Sequence, residues 1–336
     1  MSIERRRFIS LLGSAVLAAP CAASEPRPLP LIGFLHAATA ESYAFDAAGF
    51  AQGLEQQGLV EAQNLAVDYR FAAGRLDRLA MLAADLVRQP VAVIVAGGAA
   101  AALAAKAATA TIPVVAVSGF DLAKLGLAAK QEQPGGNLTG VTFMTAGLMH
   151  SRLDFLRDLV PATRTIGYLA PDPRGYPAAA ALLPAIEERR NELRAAVEAL
   201  GWQLIVGEVG ADRDYEAAFV KFGERRADAL VVAPSAIFAA DADDIIALAL
   251  RDGIPTMFER RADVAAAGLI SYGASRPEAW RQAGVYVGQI VKGAKPADMP
   301  PVQSARLELV INQAIAKSLG VAISPSLRAK ADEVIQ

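Results

Sequence analysis

The sequence predicts an α/β protein of two similar lobes, each a parallel sheet flanked by helices, joined by a hinge that the chain crosses several times. The chain has 336 residues, 54% of them hydrophobic, so it can bury a substantial core. Short apolar runs alternate with amphipathic stretches, which is the pattern of βαβ units whose parallel sheet is covered on both faces. These runs fall into two sets of about five, one for each lobe.

The first residues, MSIERRRFISLLGSAVLAAPCAAS, have the layout of a secretory signal peptide, because an arginine cluster precedes a short apolar run and then small residues. The run is too short for a comfortable membrane span. We expect residues 1–23 to be a signal peptide that is cleaved near Ala23, which makes the mature protein periplasmic. Arg5 and Arg6 resemble a twin-arginine export signal, and both this route and the general secretory route stay open.

Cys21 is the only cysteine of the chain, and it lies in this leader. The alternative to simple cleavage is a lipoprotein signal in which Cys21 accepts the lipid, although Pro20 fits such a signal poorly. After cleavage the chain has no cysteine, so it uses neither disulfides nor a thiol nucleophile. Removing the leader takes away three arginines and one glutamate, so the net charge moves from −2 to −4. This charge predicts no nucleic-acid partner.

The first lobe is predicted to contain the strands PLIGFL, LAVDYRF, VAVIVA, PVVAVS and LTGVTF. Between them, Phe50 and Leu54 share one face of the predicted helix FDAAGFAQGLEQQG, and Gly58 is its expected C-terminal cap. The leucines of RLDRLAMLAADLVRQ also recur at helical spacing, and Pro90 ends that helix before the next strand. Plain core packing accounts for both apolar stripes.

The second lobe is predicted to contain the strands TIGYLA, WQLIVGEV, ALVVAP, IPTMFE and GLISYG. After Tyr272 the plan changes. The stretch RPEAWRQAGVYVGQIVKGAKP predicts one long helix ended by Gly293 and Pro296, and the strand ARLELVIN and the helix QAIAKSLG follow it. A late helix beyond two complete lobes returns to complete the first, so the hinge has several strands and permits bending without separation. The predicted boundaries are 30–145 plus 275–297 for the N-terminal lobe and 146–274 plus 298–336 for the C-terminal lobe.

Motifs of nucleotide and acyl chemistry are absent from the sequence. There is no G-x-x-x-x-G-K-[ST] loop and no G-x-S-x-G nucleophile elbow, and IVAGGAAAA lacks the spacing of a dinucleotide-binding G-x-G-x-x-G. The only histidines, His36 and His150, stand in no metal-ligand pattern. Asp243 and Asp244 open a predicted helix, where negative charge suits the helix dipole. We therefore expect no enzyme activity, no metal and no cofactor.

One resemblance covers nearly the whole mature chain. Four segments carry it in family order: residues 31–87, which begin LIGFLHAATAESYAFDAAGF; residues 111–148, which begin TIPVVAVSGFDLAKLG; GLISYGAS; and residues 292–327, which begin KGAKPADMPPVQSARLELVIN. They resemble the substrate-binding proteins of ABC transporters in the TrpX-like group, which is related to a tryptophan-binding lipoprotein. The resemblance implies the type I periplasmic binding protein fold.

Two segments are less typical of that group, PDPRGYPAAAALLPAIEERR and APSAIFAADADD. Both are expected to line the second lobe's side of the cleft, so they leave the identity of the ligand open. The resemblance implies a small-molecule ligand, delivery to an ABC permease in the inner membrane, and a monomer. The alternative is a ligand-sensing receptor subunit of a signalling system with the same fold. No helix-turn-helix precedes the first strand, which argues against a repressor.

Ligands of open parallel sheets bind beyond the carboxyl ends of the strands, so the breaks after the apolar runs are the candidate site. From the first lobe these are His36, Ser42, Tyr43, Gly97, Gly98, Ser118, Gly119, Phe120 and Asp121. From the second lobe they are Asp172, Tyr176, Ser235, Phe238, Phe258, Glu259 and Tyr272.

Aromatic residues from both lobes and few charges predict a small ligand with an apolar or ring portion and one polar head. Gly97-Gly98 and Ser118-Gly119 offer backbone amides to a carboxylate near a helix start, although tight turns also explain these glycines. Asp121 or Glu259 is the expected counter-charge for an amine. An amino acid or a related carboxylic acid fits this description. The expected mechanism is closure of the two lobes on the ligand.

Overall fold

Two sheets covered by helices form the structure, a computed structural model that describes residues 29–336 apart from 129–135, 144–146 and Tyr176. The predicted fold class is confirmed, because each sheet is dominated by parallel strands and carries helices on its faces. The predicted signal peptide 1–23 lies outside the described residues.

The described strands are numbered in chain order. They are β1 (Leu31–His36), β2 (Ala66–Phe71), β3 (Val91–Gly97), β4 (Val114–Ser118), β5 (Leu138–Thr142), β6 (Thr165–Pro171), β7 (Gln203–Val209), β8 (Ala229–Val232), β9 (Thr256–Phe258), β10 (Ile270–Ala274), β11 (Val302–Gln303), β12 (Leu307–Asn312) and β13 (Glu333–Ile335). The first sheet has the order β11-β5-β4-β3-β1-β2 and the second the order β13-β12-β10-β9-β8-β6-β7. Within the described residues, only β10 and β12 pair antiparallel.

The described α-helices connect these strands. They are α1 (Ala40–Glu55), α2 (Leu79–Val87), α3 (Ala99–Ala108), α4 (Met149–Leu159), α5 (Leu183–Ala199), α6 (Tyr215–Glu224), α7 (Ala236–Ala240), α8 (Ala242–Arg251), α9 (Arg261–Ala265), α10 (Arg276–Val291), α11 (Gln313–Ser318) and α12 (Pro325–Lys330). Each of the predicted strands corresponds to one of β1–β10 or β12. The predicted long helix is α10, which ends at Val291, before Gly293 at φ +104° and a 3₁₀ turn that begins at Pro296.

The C-terminal part of the chain differs from the prediction in one place. The sequence pattern places 298–336 in the second lobe, but Val302–Gln303 form β11, which pairs with β5 in the first sheet. The physical reason is that Thr139 and Thr142, in the neighbouring strand, donate hydrogen bonds to the Met299 and Val302 carbonyls. The chain therefore crosses to the second sheet after β11.

Helix α10 packs on α1 through glycines, as the returning helix of the first lobe should. A Cβ at Gly49 would lie 2.2 Å from the Pro277 carbonyl oxygen, and one at Gly53 would lie 2.0 Å from that of Arg281. The two backbones therefore touch, which only glycine permits. Trp280 of α10 is fully buried, and its ring lies 5.5 Å from that of Phe34 in β1.

Candidate functional site

A cavity of about 170 Å³ lies between the two sheets, at the carboxyl ends of their strands. On one side it is lined by residues that follow β1, β3, β4 and β5, and on the other by residues that follow β6, β8 and β9 and by the inner face of α5. Parallel pairing places His36 opposite Gly97 at the ends of β1 and β3. The strand ends therefore meet at one edge of each sheet, where ligands of such folds bind.

Backbone geometry explains the two glycines at the end of β3. A Cβ at Gly97 would lie 2.0 Å from Cδ2 of His36, so the imidazole ring occupies the space that any other side chain would need. Gly98 has φ +96°, a conformation that favours glycine, and the next residue begins α3. The first residues of α3, Ala99 and Ala100, line the cavity, so the positive end of this helix faces it.

His36 is buried, and its imidazole is neutral. Its Nδ1 accepts a hydrogen bond from the Ala38 backbone N–H at 3.1 Å, which places the proton of the neutral ring on Nε2. Burial, followed by the positive charges of Arg276 and Arg260, lowers the pKa of His36 to about 3. The ring is therefore a polar but uncharged part of the cavity wall.

Three arginines of the cavity wall are already balanced by carboxylates. Arg260 binds Asp263, with Nε 3.2 Å from Oδ2. Arg276 donates to buried Asp46 at 3.1 Å, and Asp46 also accepts from the Trp280 indole. Arg190 lies 2.9 Å from Glu208. These charges are neutralised within the protein.

Two charged groups of the wall lack an ionic partner in the part of the chain that the structure describes. Arg189 of α5 donates to the Gly119 carbonyl oxygen and lies 3.9 Å from the centre of the Phe120 ring, without a carboxylate in contact. Burial lowers the pKa of Arg189, with a further lowering from Arg152, yet a guanidinium stays charged. Glu259 follows β9 and makes neither a hydrogen bond nor an ion pair there, while its charge acts on Arg189. The cavity thus offers one cation and one anion that form no salt bridge among the described residues.

Aromatic rings supply the apolar surface between these charges. Phe120 and Phe143 come from the loops after β4 and β5, and Tyr168, Phe238 and Phe258 come from the second lobe. Rings placed on both sides of a cleft suit a flat apolar group between them.

Comparison with known families identifies the chain. A family model described as ABC transporter substrate binding protein matches residues 37–335, which is most of the sequence. The chain is an ABC transporter substrate-binding protein. The resemblance seen in the sequence is thereby confirmed.

Individual relatives of this substrate-binding protein agree with the family. A curated tyrosine-binding protein of Clostridioides difficile is 27% identical over 121 residues, which are 36% of this chain and 34% of the relative, so the match spans about a third of that protein. A crystal structure of an ABC domain from Streptococcus pneumoniae in complex with L-Trp has a TM-score of 0.80 at 24% identity, covering 92% of this chain and all of that one (100%). A conserved domain protein from Vibrio cholerae gives 0.80 at 23% identity, with 91% and 100% coverage. These structures show the type I-like fold.

Ten of the residues predicted for the site line the cavity of this substrate-binding protein. They are His36, Ser42, Gly97, Gly98, Gly119, Phe120, Ser235, Phe238, Phe258 and Glu259. All lie at the end of a strand, in the loop after it or in the first turn of the next helix, which is where ligands of parallel sheets bind. Their contact with a ligand stays a prediction.

Two predicted residues of the first lobe lie behind the cavity wall. Tyr43 follows Ser42 on α1, and one helical step turns it into the core, where its ring lies 4.8 Å from that of Phe34. Ser118 is fully buried at the end of β4, and its Oγ accepts from the Phe120 N–H at 3.0 Å. The hydroxyl shapes the turn that presents Phe120 and does not itself reach the cavity.

Three more predicted residues are engaged elsewhere. Asp121 accepts from the Ala123 and Lys124 amides at 2.8 and 3.1 Å, so it closes a turn instead of facing an amine. Asp172 binds Arg174 at 3.0 Å, and this hydrogen bond lowers the pKa of Asp172. Tyr272 of β10 points at α4, with its ring 4.9 Å from that of Phe155. Tyr176 lies outside the described residues.

The sequence reasoning missed the arginines of the site. Arg260 and Arg276 follow the ends of β9 and β10, so the strand-end rule could have included them. Arg189 and Arg190 lie inside α5. Which residues of this helix face the cavity depends on how the helix is oriented, and the strand-end rule does not give that orientation. Their segment was nevertheless expected to line the second lobe's side, and the position of both side chains in the cavity wall confirms this.

The described residues hold neither a metal-binding cluster nor a membrane-spanning helix. They contain no group of three or more His, Cys, Asp or Glu side chains that could hold a metal ion. Within the same ranges, every helix is too short or too polar to cross a membrane.

Proposed function

We propose that this substrate-binding protein captures an amino acid between two closing lobes and delivers it to the permease of an ABC importer. The observation that carries the proposal is the pair of oppositely charged side chains, Arg189 and Glu259, which line the cavity without a salt-bridge partner among the described residues. A zwitterionic ligand brings one carboxylate and one ammonium group, so it can form a charge-assisted hydrogen bond with each of these side chains. The amides at the start of α3 add to the pull on the carboxylate.

The side chain of the proposed ligand is aromatic. Phe120, Phe143, Phe238, Phe258 and Tyr168 provide the rings on which an indole or a phenol stacks. The relatives support this choice, because one is called a tyrosine-binding protein and the structure of another contains L-Trp. In this proposal the protein binds its ligand and releases it unchanged.

Export and closure complete the proposal. The leader 1–23 directs the chain to the periplasm, where the mature protein acts as a monomer. The two lobes, 30–145 plus 275–297 and 146–274 plus 298–336 with β11 in the first, close around the ligand, and the permease recognises the closed form. Intact-mass measurement of the periplasmic fraction tests cleavage near Ala23, and a lipid on Cys21 would contradict it.

Calorimetry on the mature protein tests the charge pattern with L-tryptophan and two analogues that each lack one charge, tryptamine and indole-3-propionate. We expect L-tryptophan to bind more tightly than either, by about tenfold or more, because each analogue leaves one charged side chain unpaired. Arg189→Gln should remove the preference over tryptamine, and Glu259→Gln the preference over indole-3-propionate. If the protein bound no amino acid, the proposed function would be wrong.

Matched controls come from the exposed face of α5. Arg194→Gln and Glu198→Gln change charge by the same amount outside the cavity, so binding should stay as in the wild type. If these two variants weakened binding as much as those at Arg189 and Glu259, net charge and not the cavity would be responsible.

A further inference from the structure

Hydrogen bonds join the two lobes both at the cavity and away from it. Arg213, in the loop between β7 and α6, donates through Nη2 to the Ala73 carbonyl oxygen at 3.0 Å, and Ala73 belongs to the turn after β2 in the first lobe. Arg189 and Lys124 also bridge the lobes, through the Gly119 carbonyl and through Glu188. Arg189 faces the ligand cavity, whereas Arg213 is not among the lining residues. A change at Arg213 therefore leaves the cavity wall intact.

The guanidinium of Arg213 is held in place by its own lobe. Its Nη1 lies 2.6 Å from Oδ1 of Asp241, and the other oxygen of this carboxylate accepts from the Tyr215 hydroxyl at 2.6 Å. The Asp241 side chain is only 10% exposed, so the anchor is fixed. Little side-chain entropy is lost when Nη2 then meets a carbonyl across the cleft.

The turn that receives this bond is tied to the cavity. The Ala73 N–H donates to the Ala38 carbonyl at 3.0 Å, and the Gly74 N–H donates to the Ala37 carbonyl at 2.8 Å. Ala37 and Ala38 line the cavity directly after β1. The second lobe is thereby connected, through two backbone hydrogen bonds, to a loop that faces the ligand.

Backbone strain marks both sides of the contact. Ala73 and Arg213 have φ values of 53° and 56°, in the left-handed region that is costly for residues other than glycine. Gly74, at φ +71°, lets the lobes approach, because a Cβ there would lie 2.7 Å from Nη2 of Arg213 and 3.4 Å from Cα of Ile237. Strained residues on two lobes that meet at one point are characteristic of clamps and switches.

We infer that Arg213 is a positioning residue for ligand capture: it stabilises the closed arrangement of the lobes from outside the cavity and thereby sets the affinity without touching the ligand. This rests on the proposed function, because it requires that the lobes close. The apparent affinity of a ligand falls in proportion to the population of the state that binds it, so loss of the Arg213–Ala73 bond weakens binding by lowering the closed population. The bond forms only when the lobes meet, so its loss acts mainly on dissociation.

The test compares Arg213→Ala, Arg213→Lys and Asp241→Asn with the wild type, using L-tryptophan in stopped-flow and calorimetric measurements. We expect Arg213→Ala to dissociate about tenfold faster with little change in association. Arg213→Lys keeps the charge but loses the forked geometry, and Asp241→Asn loosens the anchor, so both should give smaller losses. Arg225→Ala, an exposed arginine at the end of α6, is the matched control and should behave as the wild type.

Measurements on the free protein separate this inference from the proposed function. Arg213→Ala should raise the radius of gyration in small-angle scattering and speed amide exchange at Ala73 and Gly74 before any ligand is added. If Arg213→Ala showed the larger radius and the faster exchange but neither it nor the wild type bound an amino acid, the role of Arg213 in closure would be supported. Only the proposed ligand would then be wrong. If affinity, scattering and exchange all matched the wild type, or if affinity fell without a change in scattering, the assigned role of Arg213 would be wrong. Thermal melting identifies any of the three variants, Arg213→Ala, Arg213→Lys or Asp241→Asn, that has lost its fold. The two variants that still fold then test the role of Arg213.

Discussion

At the scale of single residues, His36 shows how burial sets chemistry. A histidine at a strand end in a cleft suggests an acid, a base or a metal ligand. In the fold, its Nδ1 is occupied by the Ala38 amide, and two arginines add to the effect of burial. His36 is therefore a neutral polar part of the cavity wall. Its protonation affects the free energy of unfolding and not a chemical step at the site.

His36 should make the protein less stable in acid. The unfolded chain binds a proton at the ordinary pKa of 6.5, whereas the folded protein does not until about pH 3. Neutral His36 therefore makes its full contribution to the free energy of unfolding above pH 6.5. This contribution falls by up to about 1.4 kcal/mol per pH unit as the pH drops from 6.5 toward 3. Urea unfolding of His36→Asn, whose Oδ1 can replace Nδ1, should show a shallower dependence between about pH 7 and 4.5.

The other histidine provides the control for this experiment. His150 lies at the exposed start of α4, so His150→Asn should keep the dependence of the wild type. Parallel curves for the wild type and His36→Asn would show that folding does not lower the pKa of His36 and would contradict this prediction.

At the scale of elements, the contact of α1 with α10 holds the returning helix in the first lobe. The sequence FDAAGFAQG places glycines four residues apart, on one face of α1, where the backbone of α10 lies directly against them. This contact also positions the start of α10, where Arg276 reaches the cavity wall and Asp46. Helix packing and the site are therefore linked.

Gly53→Ala should destabilise the protein by about 1–3 kcal/mol, the usual cost of overpacking, because its methyl group would lie 2.0 Å from the Arg281 carbonyl oxygen. Gly223 is also helical, but a methyl group added there would meet no atom within 4 Å, so Gly223→Ala should be neutral or stabilising by about 0.5–1 kcal/mol. Denaturant unfolding measures both. Equal effects of the two substitutions would mean that helix propensity, not the close contact, decides.

At the scale of the whole molecule, the arrangement of two sheets around one cavity predicts compaction on binding. L-tryptophan at saturation should lower the radius of gyration of the mature protein in small-angle scattering. It should also raise the melting temperature with concentration, since a ligand at about 100 times its Kd stabilises the native state by about 2.7 kcal/mol. A higher melting temperature with an unchanged radius would mean that the ligand occupies lobes that are already closed.

The sequence by itself determined strands β1–β10 and β12, the long helix α10, the two lobes and the family, because burial periodicity is local and Gly293 and Pro296 mark the end of α10. It also located ten wall residues, since parallel strands end at one edge of a sheet. Only the tertiary structure decided that Val302–Gln303 join the first sheet, and that Tyr43 turns inward. It also decided which charged side chains form salt bridges. Arg276 forms a salt bridge with Asp46, which is remote in the sequence, while Arg189 and Glu259 form none among the described residues. Charge pairing depends on distances between elements that are far apart in the chain, and local patterns carry no information about those distances.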